Sequence, residues 1–170
     1  MLREALRSLA QGIKSFDIPT LQLQDMGHFL ALVPQVASDK LNALAADCVT
    51  GLHRFAAPLT NDDLARRRKS PLSPNQDALL VQFGYPYYVL GAFRFHFSLT
   101  GDLRGLTAAE KQAVVTAATQ WFADLSPPRF DSLALVAEPK PGAAFVVLEH
   151  AGLAVDAKNG KRFGKTRRVP

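Results

Sequence analysis

Hydrophobic positions along the chain follow two periods, and the switches between them divide it into elements. Leu2, Ala5, Leu6, Leu9 and Ile13 recur at helical spacing with Arg3, Glu4, Arg7 and Lys14 turned away, which predicts an amphipathic helix over residues 2–14. The period drops to two over residues 16–24, where Leu21 and Leu23 alternate with Thr20, Gln22 and Gln24, a half-buried strand with Pro19 near its start. Phe29 to Val33 is a continuous apolar run, suited to a strand buried on both faces, and Pro34 closes it. Ser38 caps a helix whose stripe is Leu41, Leu44, Ala45, Cys48, Leu52 and Phe55. Cys48 lies on that stripe and reads as core rather than as a reactive thiol.

Residues 58–90 are the least regular. Thr60 with Asp62 and Asp63 starts a short helix that ends in Arg66-Arg67-Arg68-Lys69, acids in the first turn and bases in the last, so the basic run reads first as a helix end. Ser73-Pro74-Asn75-Gln76 is a capping box with proline at the first helical position, leading Leu79, Leu80 and Phe83 to a stop at Gly84. Tyr85, Tyr87 and Tyr88 follow. Tyrosines beside a core are commoner than tyrosines on a ligand; of the three, Tyr87 is the candidate substrate contact. Further on, Thr107 and Glu110 box the start of a helix striped by Val114, Ala117, Ala118, Trp121, Phe122 and Leu125. Strands over 130–137 and 144–149 come next, joined by a Pro- and Gly-rich turn; His150 is expected to face solvent or a backbone carbonyl rather than a substrate.

Between these halves lies the stretch where pattern and chemistry coincide. As a strand from Phe93 to Thr100 it sets Phe93, Phe95, Phe97 and Leu99 on one face and Arg94, His96, Ser98 and Thr100 on the other. The first face is expected to be buried. The second offers a cation, a group that titrates near neutral pH and two hydroxyls, a set suited to holding and protonating a phosphate oxygen.

Composition changes the picture in three ways. A chain of 170 residues with 48% hydrophobic content is long enough for a real core. Its net charge of +5 is carried entirely by the last fifteen residues, where six bases stand against Asp156, so nucleic-acid binding by the body of the protein is disfavoured. One cysteine excludes an internal disulfide, and with no signal-like or membrane-spanning run the chain is expected to be cytoplasmic, with no membrane partner. No group of residues has metal-ligand spacing, and no cofactor is expected.

Residues 2–33 and 107–149 both read helix, strand, strand, and Phe16-Asp17 before Leu21-Gln22-Leu23 echoes Phe130-Asp131 before Leu133-Ala134-Leu135. The second copy has a strand leading into its helix, the His96 strand; the first has none. The segments GHFLALVP, LNALAADCV, APLTNDDLARRRKSPLSPNQDALLVQFGYPYYV, FRFHFSLTG and DSLALVAEPKPGAAFVVL together resemble the phosphonate-metabolism proteins of the two-histidine, LigT-like phosphoesterase superfamily. The resemblance implies an α+β fold, a cyclic phosphodiesterase-like pseudo-twofold duplication of antiparallel sheets with flanking helices. It covers a single two-lobed domain over 1–153, followed by a disordered basic tail over 154–170. His96 and Ser98 match the second of two H-x-[ST] motifs. The first motif belongs to a strand ahead of the helix at Leu2, and neither His28, His53 nor His150 replaces it. The chain is therefore expected to lack its N-terminal strands, to be weakly active or inactive, and to self-associate through a free sheet edge beside Phe29–Val33.

In the intact arrangement that the resemblance implies, one histidine is base toward the attacking water or hydroxyl and the other is acid toward the leaving oxygen. The hydroxyls two residues on hold the nonbridging oxygens of a small phosphorylated substrate. His96 and Ser98 are the catalytic candidates, and Arg94 and Tyr87 the substrate contacts. A noncatalytic phosphoester-binding descendant is the second reading, and nucleic-acid binding by the tail ranks last.

Overall fold

A computed structural model describes residues 1–155 as an α+β fold: α1 (Leu2–Gln11), β1 (Phe16–Asp17), β2 (Leu21–Asp25), β3 (Leu30–Pro34), α2 (Asp39–Leu52), α3 (Asn61–Arg67), α4 (Pro74–Phe83), β4 (Phe97–Ser98), α5 (Ala108–Trp121), β5 (Arg129–Phe130), β6 (Ser132–Ala137) and β7 (Val146–Gly152). The helix starts follow their caps. Ser38 accepts from the Leu41 amide, and Thr60–Asp63, Ser73–Gln76 and Thr107–Glu110 each close a reciprocal box around two otherwise unpaired amides. Gly84 ends α4 with φ 83°, a conformation that a side chain would strain. The order helix, two-residue strand, long strand, long strand occurs twice, in α1-β1-β2-β3 and in α5-β5-β6-β7. No described helix is long and apolar enough to cross a membrane.

The described chain divides into two units, one formed by Arg3–Phe16 with residues 130–155, the other by Asp17–Arg129. The first repeat's helix therefore groups with the second repeat's strands. In that unit β6 and β7 pair antiparallel, Ser132 opposite Gly152 and Leu133 opposite Ala151, with a shift in register between Leu135 and Val136. Leu6 and Ala10 of α1, with Phe16, Ala151 and Leu153, supply the buried side chains, and the Phe16 ring stacks on Phe130 at 5.7 Å. Ala154, placed in the tail on sequence, instead donates to the Ile13 carbonyl at 2.8 Å and accepts from the Ser15 amide at 2.9 Å. The basic tail itself lies outside the described residues. His150 is exposed, as expected.

Arg7 Nε donates to Glu149 Oε1, and this hydrogen bond, reinforced by the charges of Arg7 and Arg3, holds the Glu149 carboxyl below its ordinary range. A carboxyl lowered on folding stabilises the protein above its unfolded-state value of about 4.3 and stops doing so as pH falls through the lower folded value. Glu149→Gln is therefore expected to lose less thermal stability than the wild type between pH 6 and about pH 3. Equal losses in the two proteins would show that the pair contributes nothing.

In the second unit β3 is the middle strand, with β2 on one side and β4 on the other. Leu30 and Ala31 are wholly buried and Leu32 nearly so, as the apolar run predicts. Beside Phe29–Val33, where a free edge was expected, β4 pairs with β3 at Ala31 and Leu32, and β2 and β4 are the outer strands of the sheet. The long strand expected over 93–100 is shortened: Ala31 faces Ser98 and Leu32 faces Phe97, and regular pairing stops before His96. Continuing that register would bring Pro34 opposite Phe95, and proline has no amide to donate. A short 3₁₀ turn at Leu90–Ala92 leads into Phe93–His96, which form no regular strand. The phenylalanine face is correspondingly open, with Phe97 44% exposed. Phe95 and Phe97 still pack edge to face at 4.9 Å, so part of the predicted alternation survives. The α5 stripe also differs from expectation. No residue of α5 is buried, Ala117 is exposed, and Trp121 is 83% exposed; Val114, Val115, Ala118 and, just beyond the helix, Phe122 are half-buried instead. Pro19 likewise divides the first predicted strand into β1 and β2.

Candidate functional site

The site is built on one face of the β2-β3-β4 sheet. Residues opposite one another in an antiparallel pair share a face, so Gln22 lies with Val33, and Gln24 with Ala31 and Ser98. On this face opens a cleft of about 270 Å³, lined by Gln22, Gln24 and Val33 of the sheet, by Ser38 and Asn42 from the start of α2, and by Phe93 to His96. Gln22 and Gln24 were not among the sequence candidates. The alternation that buries Leu21 was the signal that could have found them, since it turns both amides to the opposite face.

His96 lines this cleft half-buried. Its Nδ1 stands 3.0 Å from the carbonyl oxygen of Arg94. A carbonyl only accepts, so Nδ1 carries the proton in this contact and the neutral ring presents the Nε2 lone pair. The Phe29 ring packs against the imidazole at 5.7 Å between centroids, limiting its rotation. The ring is thus anchored at one nitrogen while the other is a competent base, or an acid once protonated.

The other candidates distribute unevenly. Arg94 lines the same cleft with an exposed side chain, and its carbonyl also fixes the His96 ring. Ser98 shares the sheet face with Gln24 but sits exposed beyond the cleft lining. Thr100, the second hydroxyl of the predicted face, accepts from the Leu30 amide at 3.0 Å and so ties the chain after β4 to β3. Tyr87 does not reach the cleft; it borders a separate cavity with Arg67, Tyr85 and Tyr88. None of His28, His53 and His150 lines the cleft. Among the described residues no group of three His, Cys, Asp or Glu side chains could hold a metal ion. Burial pushes the Cys48 thiol up, away from thiolate chemistry.

Comparison with known proteins places the chain among relatives. It is 34% identical over 148 residues to the protein named ribose 1,5-bisphosphate phosphokinase PhnN of Janthinobacterium sp. (strain Marseille), a match that covers 85% of this chain and 32% of that protein. The chain thus spans about a third of the length of this curated relative. No solved structure matches. Residues 1–146 match the family model described as Protein of unknown function (DUF1045), and the chain belongs to that family.

Proposed function

We propose that the chain carries one half of a two-histidine phosphoesterase site. His96 is the proton-transfer group, and Ser98 and Arg94 are the contacts to phosphate oxygens. One observation carries this reading: the His96 imidazole lines an open cleft with Nδ1 committed to the Arg94 carbonyl, leaving Nε2 for chemistry. In hydrolysis of a cyclic phosphodiester, water adds to phosphorus, one P–O ester bond breaks, and a proton passes from the water to a base while another reaches the leaving oxygen. His96 serves one of these transfers. Gln22, Gln24 and Asn42 can donate amide protons to the charged oxygens, and Ser98 joins them if the substrate extends along the sheet face past Ala31.

The repeated element order and the grouping of each repeat's helix with the other repeat's strands support a LigT-like pseudo-twofold duplication over residues 1–153. The opposite proton-transfer group has no candidate among the described cleft residues, so slow turnover belongs to the proposal. The relative's name supports a phosphorylated small molecule as the substrate class, and with the family resemblance it supports a place in phosphonate metabolism. Metal-independent chemistry follows from the proposed pair of histidines.

The test is to follow a nucleoside 2′,3′-cyclic phosphate by phosphorus NMR with protein in excess over substrate. Ring opening to a monoester supports the proposal. Saturable binding without product favours the second reading, a noncatalytic phosphoester-binding protein, for which the position of Ser98 outside the cleft is the supporting observation.

A further inference from the structure

A second cavity, of about 510 Å³, is bordered by the segment before α3, by α3 itself and by the end of α4, and none of its lining residues borders the His96 cleft. Its walls are largely apolar, with Pro58, Leu59, Leu64 and Val81 among them, and two guanidinium groups, Arg54 and Arg67, open onto it. Most of the basic run around Arg67 is already committed. Arg66 Nη2 bonds Asp63 at 2.6 Å, and Arg68 forks onto both oxygens of Asp77 at 2.7 and 3.1 Å. Arg67 has no such bond among the described residues. Its Nε is buried without a hydrogen-bond partner, and Asp63, already bonded to Arg66 and Thr60, acts on it only through space.

What positions Arg67 is an aromatic ring. Its guanidinium carbon lies 5.2 Å from the centroid of Tyr85. The Arg67–Tyr85 pair borders both this cavity and an adjoining one of about 300 Å³, which Pro86, Tyr87 and Tyr88 complete. Gly84 turns the chain into Tyr85 with φ 83°, and Tyr88 and Leu90 take φ 59° and 49°, a conformation that residues other than glycine rarely hold. The strained backbone presents Tyr85, Tyr87 and Tyr88 to solvent at 56, 40 and 64% exposure, although buried tyrosine is the ordinary outcome beside a core.

We infer that the Arg67–Tyr85 cavity binds a mononucleotide-sized organic phosphate. Its anionic group sits on the Arg67 and Arg54 guanidiniums, and its planar ring lies against the tyrosines or the apolar wall. The volume falls in the range of small-molecule sites, which pair apolar walls with a few charged groups. An unpaired guanidinium already held flat by a ring has little ordering left to lose when an oxyanion arrives.

The experiment uses the full chain carrying Arg94→Gln, which removes the cation proposed to hold phosphate in the cleft, with adenosine 5′-monophosphate, adenosine and inorganic phosphate as probes in calorimetric titrations. AMP is expected to bind about tenfold more tightly than either fragment, and Arg67→Gln and Tyr85→Leu are each expected to weaken AMP by about tenfold. Arg54→Gln, at an exposed position, reads the second cation in a fold that the change leaves intact. No AMP binding, equal affinity for AMP and phosphate, or AMP affinity unmoved by all three substitutions would overturn the inference.

Discussion

Leu30→Ala is expected to destabilise the protein by roughly 2–5 kcal/mol, the range for removing a large aliphatic side chain from a packed interior. Leu30 is fully buried in the middle strand of the β2-β3-β4 sheet. Its amide donates to Thr100 Oγ1 at 3.0 Å, its carbonyl accepts from the Leu99 amide at 2.8 Å, and it faces Asp25 across β2. The side chain fills the core on one face while its backbone attaches the chain after β4. A domain of this size is stable by only about 5–15 kcal/mol, so the loss is a large fraction of the total. Val147→Ala, on a half-exposed position of β7, is the control and is expected to move stability by about 0.5 kcal/mol or less. Urea unfolding of the two variants decides the matter. A Leu30→Ala loss no larger than that of Val147→Ala would mean that β3 is not the centre of its unit.

His96→Gln is expected to lower hydrolysis of a nucleoside 2′,3′-cyclic phosphate by roughly a hundredfold to ten-thousandfold, the usual cost of removing a positioned acid or base. Glutamine keeps a polar group of similar reach and cannot transfer a proton at neutral pH, so binding should persist while the chemical step fails. Ser98→Ala is expected to act more weakly and chiefly on KM, because its hydroxyl lies outside the cleft lining. If His96→Gln weakened binding and left the rate with bound substrate intact, His96 would be a contact and not a proton-transfer group.

The comparison of these two positions with the sequence shows what local pattern can and cannot predict. Caps at Ser38, Thr60, Ser73 and Thr107, the glycine stop at Gly84 and the buried run at β3 are all short-range signals, and each is realised. The repeat was readable for the same reason, since each copy carries its own helix and strand periods. The extent of β4 was not, because it is limited by Pro34 on a strand more than sixty residues away in sequence, and register is a property of the pair. Nor was the grouping of α1 with β6 and β7 legible, since an amphipathic stripe states that a face is covered without saying by what. At the site, His96 and Arg94 were readable as neighbours on a polar face. Gln22 and Gln24 were hidden by belonging to another strand, and Tyr87, which precedes the turn at Leu90–Ala92, borders a separate cavity.

The most direct test of the His96 assignment is a nitrogen–proton correlation spectrum of the four histidine side chains, recorded while a nucleoside 2′,3′-cyclic phosphate is added. With Nδ1 bonded to the Arg94 carbonyl, the neutral His96 ring should appear as the Nδ1–H tautomer, and its Nε2 resonance should shift as the ligand saturates while those of His28 and His150, which line neither cavity, stay in place. An Nε2–H tautomer at His96, or saturation that leaves the His96 resonances unmoved, would contradict the assignment of His96 as the proton-transfer group of the site.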